Sequence, residues 1–407
     1  MAHLLVRNAA QIATGTGSVL RGPALDTLRV HTNASLYVKD GTIVAVGPSA
    51  EVDRVVEGNP EIVDAAGAAL IPGFVDSHTH AVFAGSRIDE FVDKLRGLSY
   101  QEIAERSGGI LSTVKAVRAC GKAELKELTR ARLQVALEHG TTTMEIKSGY
   151  GLDLGNEIKM LEIIDELRAE QPIDLVPTFL GAHAVPREVS RDVYVRQLLE
   201  MLPKVAAKAA FCDVFCDDAY LPVADCRRIL EAARTLGMKL QLHAGQLHRD
   251  GGIRLGLELG ARSISHLDQI GDDEIARVGA SSTAAILLPG VSLFCRTPFP
   301  PARRLVQSGA ILAVASNFNP GSCPMQSMPL VVALSCVQMG LSPAEALNAA
   351  TVNGSYALGL EKVGTLEPGS RADAALLNVP DYRMLPYYFG VNPVHTVITK
   401  GRIAWRR

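Results

Sequence analysis

Residues 69–80, ALIPGFVDSHTH, provide the starting point for assigning the fold. An apolar run ends in His78 and His80, which are two positions apart and therefore lie on one face of a strand. Imidazole is a good ligand for zinc and for iron. The segment therefore predicts a buried strand with a pair of metal-binding side chains at its carboxyl end.

Seven further segments have the same strand-like character, and amphipathic helical stretches separate them. These segments span residues 140–149, 173–183, 211–218, 239–245, 262–267, 284–290 and 310–320. Nearly continuous apolar strands that alternate with helices are typical of a parallel sheet covered by helices. Eight such repeats predict an α/β fold of the (β/α)₈ TIM barrel type.

Short strands and turns characterise both ends of the chain. Neither end can bury an apolar face alone, so we predict that the two ends pair into one small β-sandwich. Residues 1–66 and 362–407 would form this β-domain, and residues 67–361 would form a metal-dependent catalytic barrel.

Polar residues occur where the predicted barrel strands end. His183 ends the third strand, His243 the fifth and His266 the sixth, while Asn317 and Asn319 end the eighth. Barrel enzymes carry their active-site residues at this rim. Three neutral histidines around one divalent metal leave a position for water, whose pKa then falls to about 7. The pattern therefore predicts a hydrolytic metal centre.

Composition argues against several other classes of protein. The 407 residues are 47% hydrophobic and 21% charged, with a formal net charge of -2. Nucleic acid or an anionic membrane would require a clustered basic surface, which this sequence lacks, and no apolar run approaches the roughly 20 residues of a membrane span. The seven cysteines form no tight framework and no signal peptide is visible, so we expect a cytoplasmic protein.

The order of the histidines resembles that of the amidohydrolase superfamily, and the flanking motifs are similar to those of the imidazolonepropionase family. The motifs are HTHAVFAGSRIDEF (78–91), GGILSTVKAVRA (108–119), GTTTMEIKSGYGLD (140–153), FLGAHAVP (179–186), DVFCDD (213–218), ILLPGVSLF (286–294), NFNPGS (317–322) and GVNPVHTVITKG (390–401). The resemblance implies hydrolysis of 4-imidazolone-5-propanoate to N-formimidoyl-L-glutamate in histidine degradation. It also implies one divalent metal, Zn²⁺ or Fe²⁺, a small cyclic substrate with a propionate tail, and a homodimer.

The resemblance assigns a role to each site residue. The implied metal ligands are His78, His80, His243 and Asn317. Arg87 matches the residue that grips the substrate carboxylate, a task for which the guanidinium fork is suited. The other implied substrate contacts are Tyr150, His183, Asn319, Gly321 and Ser322. The implied catalytic residues are His266, Gln246 and Asn317.

Two positions depart from the pattern of that family. The family has an aspartate where this chain has Asn317, and often a glutamate where it has Gln246. An amide keeps the shape of the acid but removes a proton acceptor, which is normally worth about 10²–10⁴ in rate. His266 is then the expected base, and Asp268 is a second candidate.

Three explanations of the two amides stay open. The enzyme keeps the family reaction with another base, or it is a weakened or engineered variant, or it acts on a related ring. The related ring would be a hydantoin or thiohydantoin propionate. A 2-thioxo-imidazolidinone propionate would release sulfide, and Cys323 would offer a sulfur contact in the product loop. A protein that only binds its ligand is the remaining, non-enzymatic alternative.

Overall fold

The computed structural model describes residues 3–98 and 108–407 of the chain. Two eight-stranded sheets lie within these ranges, one built from both ends of the chain and one forming the barrel. The strands, in chain order, are β1 (His3–Thr14), β2 (Arg29–Lys39), β3 (Thr42–Pro48), β4 (Glu61–Asp64), β5 (Ala69–Pro72), β6 (Phe74–Asp76), β7 (Thr141–Lys147), β8 (Asp174–Ala182), β9 (Phe211–Cys216), β10 (Lys239–Ala244), β11 (Ser263–His266), β12 (Ala284–Leu287), β13 (Ile311–Val314), β14 (Ala374–Leu377), β15 (Val394–Thr399) and β16 (Arg402–Arg406).

Helices fill the connections between the barrel strands, whereas the short helix Ser49–Val52 packs against β2 and β3 of the terminal sheet. In chain order they are α1 (Ser49–Val52), α2 (Ile88–Leu95), α3 (Ile110–Ala119), α4 (Lys122–Glu138), α5 (Leu154–Glu170), α6 (Arg191–Val205), α7 (Val223–Thr235), α8 (Gly252–Glu258), α9 (Asp272–Ala280), α10 (Pro289–Cys295), α11 (Ala302–Gln307), α12 (Met328–Val337), α13 (Pro343–Ala349), α14 (Val352–Ala357) and α15 (Met384–Tyr387), with 3-10 helices at Gly22–Asp26 and Asp53–Val55. Among the described residues, no helix combines the length and the apolar character needed to cross a membrane.

Helix α5 shows why these stretches form helices that pack on the barrel. The carboxylate of Asp153 accepts a hydrogen bond from the backbone N–H of Asn156 at 2.8 Å and so caps the first turn. Met160, Ile163 and Leu167 are fully buried. Their spacing of three and four residues places them on one face, which packs toward strand β8.

Strands β6 to β13 pair in parallel and in chain order, which confirms the predicted (β/α)₈ arrangement. Backbone hydrogen bonds at the rim bring the first and last strands together. The N–H of Asn317 donates to the carbonyl of His78 at 3.0 Å, and the N–H of His80 donates to the carbonyl of Phe318 at 2.9 Å. The ring is therefore closed by residues of the predicted site itself.

The two ends of the chain pair as the sequence predicts. Strand β14 lies antiparallel to β5, which joins the C-terminal strands to the N-terminal ones. The turn at Gly41 contacts Lys400, and the turn at Gly401 contacts Val38. The sheet therefore folds over so that its opposite ends meet, as expected for the predicted β-sandwich.

The opening segment, residues 69–80, differs from the single strand that its apolar run suggested. Ala69–Pro72 forms β5 of the terminal sheet, and the first barrel strand begins at Phe74. Gly73 separates the two, and its backbone lies so close to Thr142 that a Cβ atom would collide with that side chain. The chain thus crosses from one sheet to the other at a single residue.

Candidate active site

A cavity of about 330 Å³ opens at the rim formed by the carboxyl ends of the barrel strands. The sequence-predicted residues that line it are His80, Arg87, Tyr150, His183, His243, Gln246, His266, Asn317, Asn319, Gly321 and Ser322. His78 is buried behind this wall and contacts His243. The structure therefore brings the predicted site residues together in one place.

Three histidines form a compact cluster, of which His80 and His243 line the cavity and His78 lies behind them. The Nε2 atom of His243 lies 3.1 Å from Nε2 of His78 and 3.4 Å from Nε2 of His80. One nitrogen of each ring lies within 4.8 Å of the other two, and all three rings are buried. Converging nitrogens of this kind fit a metal ion, which would accept all three lone pairs.

The outer nitrogens of two of these rings are held by hydrogen bonds. Nδ1 of His243 lies 3.1 Å from the carboxylate of Asp213, and Nδ1 of His78 lies 2.8 Å from the hydroxyl oxygen of Ser265. Because a carboxylate can only accept, Nδ1 of His243 carries the proton and Nε2 offers its lone pair. Nδ1 of His80 has no such partner within the described part of the chain.

Burial keeps the cluster histidines neutral because an imidazolium ion there would lose its hydration. The pKa of His78 and the pKa of His80 lie well below the ordinary value of 6.5. The pKa of His243 is lowered to about 4 by the same cause. The neutral imidazole is the form that binds a metal.

Asn317 provides a fourth polar atom beside the cluster. Its side-chain Oδ1 is buried and has no hydrogen-bond partner among the residues that the structure describes. The residue also has a left-handed backbone conformation, with φ of 51°. An unpaired buried amide oxygen is costly unless a ligand satisfies it. Because the backbone N–H of Asn317 also bonds to His78, this oxygen is a candidate ligand for an ion held by the histidines.

Arg87 and Lys94 form a cationic wall on another side of the cavity. Nε and Nη2 of Arg87 donate to Oε2 of Glu90 at 2.9 and 2.5 Å, and both side chains are nearly buried. The ammonium group of Lys94 donates to the carbonyl of Gly321 at 2.9 Å. A guanidinium held in this way presents a fixed orientation to a carboxylate ligand.

The loop around Asn319 is held by that residue's own side chain. Its Oδ1 accepts hydrogen bonds from the backbone N–H groups of Gly321 and Ser322, both at 2.8 Å. Its Nδ2 donates to the carbonyl of Asn317 at 2.7 Å and to the hydroxyl of Ser322 at 2.9 Å. All four hydrogen-bonding positions are occupied, so Asn319 shapes the loop and has no position left for a direct ligand contact in this conformation.

His183 and Tyr150 form an aromatic side of the cavity. Nδ1 of His183 lies 3.0 Å from the carbonyl oxygen of Gly149, so Nδ1 carries the proton and Nε2 is an acceptor. Burial lowers the pKa of His183 to about 3. The His183 ring stacks on the His80 ring with 5.0 Å between ring centres. The centre of the Tyr150 ring lies 5.2 Å from that of His183. Such rings suit a flat heterocyclic ligand.

His266 and Asp268 stand together on the cavity wall. Oδ2 of Asp268 lies 3.4 Å from Nδ1 of His266, and the His266 ring lies 5.4 Å from the His243 ring. His266 and Leu267 have φ of 82° and 58°, an unusual pair of left-handed conformations for non-glycine residues. Backbone strain of this kind is concentrated at functional sites. Gln246 is half-buried on the same wall.

Sequence reasoning missed the charged residues beneath the histidine cluster. Glu145, Lys147 and Asp213 are buried inside strands β7 and β9. Their signal was present, because a charged residue within an apolar strand must find a partner. Cys323 instead packs in an apolar cluster and is not among the residues lining the described cavity. Its burial gives no support to a sulfur contact with a ligand.

Comparison with known proteins agrees with this fold and site. The sequence model of the amidohydrolase family matches residues 69–404, and the chain belongs to that family of hydrolases, which act on carbon–nitrogen bonds. The imidazolonepropionase of Symbiobacterium thermophilum is 46% identical over 411 residues, which cover 98% of this chain and 96% of that protein. The imidazolonepropionase of Rubrobacter xylanophilus is 47% identical over 398 residues, covering 97% and 96%. Within the amidohydrolases, the chain is therefore a member of the imidazolonepropionase family.

A solved structure supports the fold. An adenosine deaminase from Xanthomonas campestris with bound zinc superposes with a TM-score of 0.73 at 19% identity, covering 99% of this chain and 92% of that protein.

Proposed function

We propose that this chain hydrolyses 4-imidazolone-5-propanoate to N-formimidoyl-L-glutamate. One observation carries the proposal: the buried guanidinium of Arg87 lines the same cavity as His80 and His243, two members of the histidine cluster. The cluster suits metal-assisted hydrolysis of a ring, and the guanidinium suits a carboxylate tail. The names and similarity of the two imidazolonepropionases support the same conclusion.

The substrate would be held by its tail and by its ring. Arg87, whose orientation is fixed by Glu90, would bind the propionate. Tyr150 and His183 would contact the flat ring, and Nε2 of His183 would accept a hydrogen bond from a ring N–H. Positioning of this kind lowers the entropic part of the activation barrier. The polar loop of Gly321 and Ser322 would contact the opened product.

His78, His80 and His243 would hold one divalent cation, and Oδ1 of Asn317 would be a fourth ligand. Bound there, Zn²⁺ or Fe²⁺ would lower the pKa of a water molecule to about 7 and so supply hydroxide near neutral pH. Neutral imidazoles and an amide oxygen suit both metals.

His266 is the proposed base, because the amide of Asn317 cannot accept a proton as a carboxylate would. It would take one proton from water as the C–O bond forms at the ring carbonyl carbon. It would then return that proton to the ring nitrogen as the C–N bond breaks, and the second proton of water leaves when the new carboxyl group ionises. The carboxylate of Asp268, 3.4 Å from Nδ1, would stabilise the imidazolium that forms. Gln246 would donate a hydrogen bond to the developing oxyanion.

Three properties remain predictions from the sequence. These are the division into a β-domain (1–66 and 362–407) and a barrel domain (67–361), assembly as a homodimer, and a cytoplasmic location. The family pattern has carboxylates where this chain has Asn317 and Gln246. This difference likewise rests on the sequence resemblance.

A paired assay on purified, metal-quantified protein tests the proposed function. One reaction contains imidazolonepropionate and the other its 2-thioxo analogue, with ring opening and sulfide release followed separately. We expect opening of imidazolonepropionate, lost together with bound metal in His243→Ala. Sulfide release alone would show that the chain has the thiohydantoin activity instead. A His243→Ala protein with full metal content and full activity would contradict the proposed centre.

A further inference from the structure

We propose that Lys147 is a positioning residue, whose buried ammonium group joins the two strand ends that carry the histidine cluster and holds their side chains in register. The proposal rests on the metal centre proposed above and extends it to residues that do not contact the cavity. Neither Lys147 nor its partners lines the cavity within the described residues.

Three strands converge on the ammonium group of Lys147. Its Nζ donates to Oε1 of Glu145 at 2.7 Å and to Oε1 of Gln241 at 3.2 Å, and it lies 2.9 Å from Oδ2 of Asp213. These partners belong to β7, β10 and β9, respectively. The ammonium group thus makes two hydrogen bonds and one additional ion pair, with partners on three strands.

One arm of this arrangement reaches His243. Asp213 lies between Lys147 and the imidazole, with its carboxylate 3.1 Å from Nδ1 of His243. That contact fixes the tautomer in which Nε2 faces His78 and His80. The charge of Lys147 keeps Asp213 an ionised acceptor in a buried place, where an unpaired carboxylate would be very costly.

The other arm reaches the segment that bears His78 and His80. Oε2 of Glu145 accepts from the backbone N–H of Thr79 at 3.1 Å, and the Thr79 hydroxyl donates to the Glu145 carbonyl at 2.6 Å. The backbone N–H of Lys147 also donates to the carbonyl of Thr79 at 3.0 Å. Thr79 separates the two histidines, so its position sets the position of both.

The charges of this group also matter to the cluster. Glu145 and Asp213 are carboxylates and Lys147 is an ammonium, so the group can supply one net negative charge, in contact with His243 and with the Thr79 backbone between the other two histidines. Residue 317 is asparagine and brings no charge to the cluster. The carboxylate that hydrogen-bonds to a cluster histidine is that of Asp213. The binding of a cation should therefore depend strongly on this buried group.

The test measures zinc affinity by competition with a chromophoric chelator, together with the unfolding temperature of the metal-free protein. We compare native protein with Lys147→Met and with the double variant Glu145→Gln/Lys147→Met, which removes one buried charge of each sign and so limits the loss of stability. Arg371→Met is the matched control. Arg371 pairs with Asp174 and Asp373 and donates to Thr143 at the opposite end of the barrel strands.

We expect both variants at position 147 to bind zinc about 10–100-fold more weakly, as happens when residues that orient metal-binding histidines are removed. The Arg371→Met control should lose thermal stability but keep its zinc affinity within about threefold. Visible spectra of the Co²⁺-loaded proteins should change for the variants at 147 and not for the control, because they report ligand geometry.

Two results would overturn the inference in distinguishable ways. Native zinc affinity in whichever 147 variants fold, accompanied only by a lower unfolding temperature, would give Lys147 a structural role alone. Failure of the native protein to bind zinc or cobalt would contradict the proposed metal centre and this inference with it.

Discussion

Gly321 packs directly against the guanidinium group of Arg87, so closely that a Cβ atom on Gly321 would overlap Nη1 and Cζ. Arg87 cannot yield easily, because Glu90 holds two of its nitrogens. Glycine is therefore required at position 321 for space rather than for backbone freedom. The loop and the arginine form one packed unit.

Gly321→Ala should displace either the arginine or the loop and so weaken the grip on the substrate carboxylate. We expect KM to rise about tenfold or more, the value of one charge-assisted hydrogen bond, with a smaller change in kcat. Steady-state kinetics on imidazolonepropionate measure both. Gly155→Ala in helix α5, where the nearest atom to a Cβ is Asp153 Oδ1 at 3.6 Å, should leave KM unchanged. An unaltered KM in Gly321→Ala would mean that Arg87 does not bind the tail.

Asp268→Asn should reduce kcat while leaving KM and metal content unchanged. The carboxylate lies 3.4 Å from Nδ1 of His266 and is proposed to stabilise the protonated base, so its loss should cost about tenfold in kcat. Asp272→Asn provides a control, because Asp272 is an exposed residue of helix α9 that pairs with Arg304. Full kcat in Asp268→Asn would remove Asp268 from the mechanism.

Asn317→Asp should strengthen metal binding. A carboxylate oxygen is a stronger ligand for a divalent cation than the amide Oδ1, which is already buried beside the cluster without a partner in the described residues. We expect zinc affinity to rise at least about tenfold, and kcat to rise as well because a second proton acceptor becomes available. Chelator competition and turnover measure the two effects. Gln246→Glu, which alters the cavity wall instead, should leave zinc affinity near that of the native protein, and equal affinities in all three proteins would rule out position 317 as a ligand.

The metal-free protein should lose stability on mild acidification, in part through His183. Burial lowers the pKa of this residue from 6.5 to about 3, so between these values the unfolded chain binds a proton that the folded protein does not. The contribution of neutral His183 to the free energy of unfolding is fully present above pH 6.5. This contribution decreases by about 1.4 kcal/mol per pH unit as the pH falls towards 3.

Urea unfolding of chelator-treated protein at pH 7 and at pH 5.5 tests this dependence. His183→Asn retains an N–H donor for the carbonyl of Gly149 but cannot take up a proton, so its midpoint should fall less than that of the native protein. Equal falls in the two proteins would show that His183 is not the titrating group.

The regular part of the architecture was predictable from the sequence. Apolar strands with polar ends recur eight times, and the side-chain geometry of a parallel barrel then brings His78, His243 and His266 to one rim without further information. The pairing of the chain ends followed from the same reasoning, because an isolated two- or three-stranded sheet cannot bury its apolar face.

The division of residues 69–80 between two sheets was not predictable. An apolar run has the same pattern in either sheet, and the close approach of Gly73 to Thr142 depends on strands that are distant in sequence. The same holds for Lys147, since Asp213 and Gln241 come from strands whose depth in the barrel no local pattern specifies. The four side-chain hydrogen bonds of Asn319 depend on the conformation of its loop, so they too could not be predicted from the sequence.

The seam between the first and last barrel strands has a consequence for the order of events during protein synthesis. His78 and His80 leave the ribosome early, but their respective backbone partners, Asn317 and Phe318, are made only after most of the chain. Chains fold from the N-terminus as they are synthesised, so a growing polypeptide contains every histidine of the cluster well before it can close the ring. Ring closure and completion of the reactive centre are thus one late event. An incomplete chain therefore has the three cluster histidines but lacks Asn317 and the closed ring that positions them.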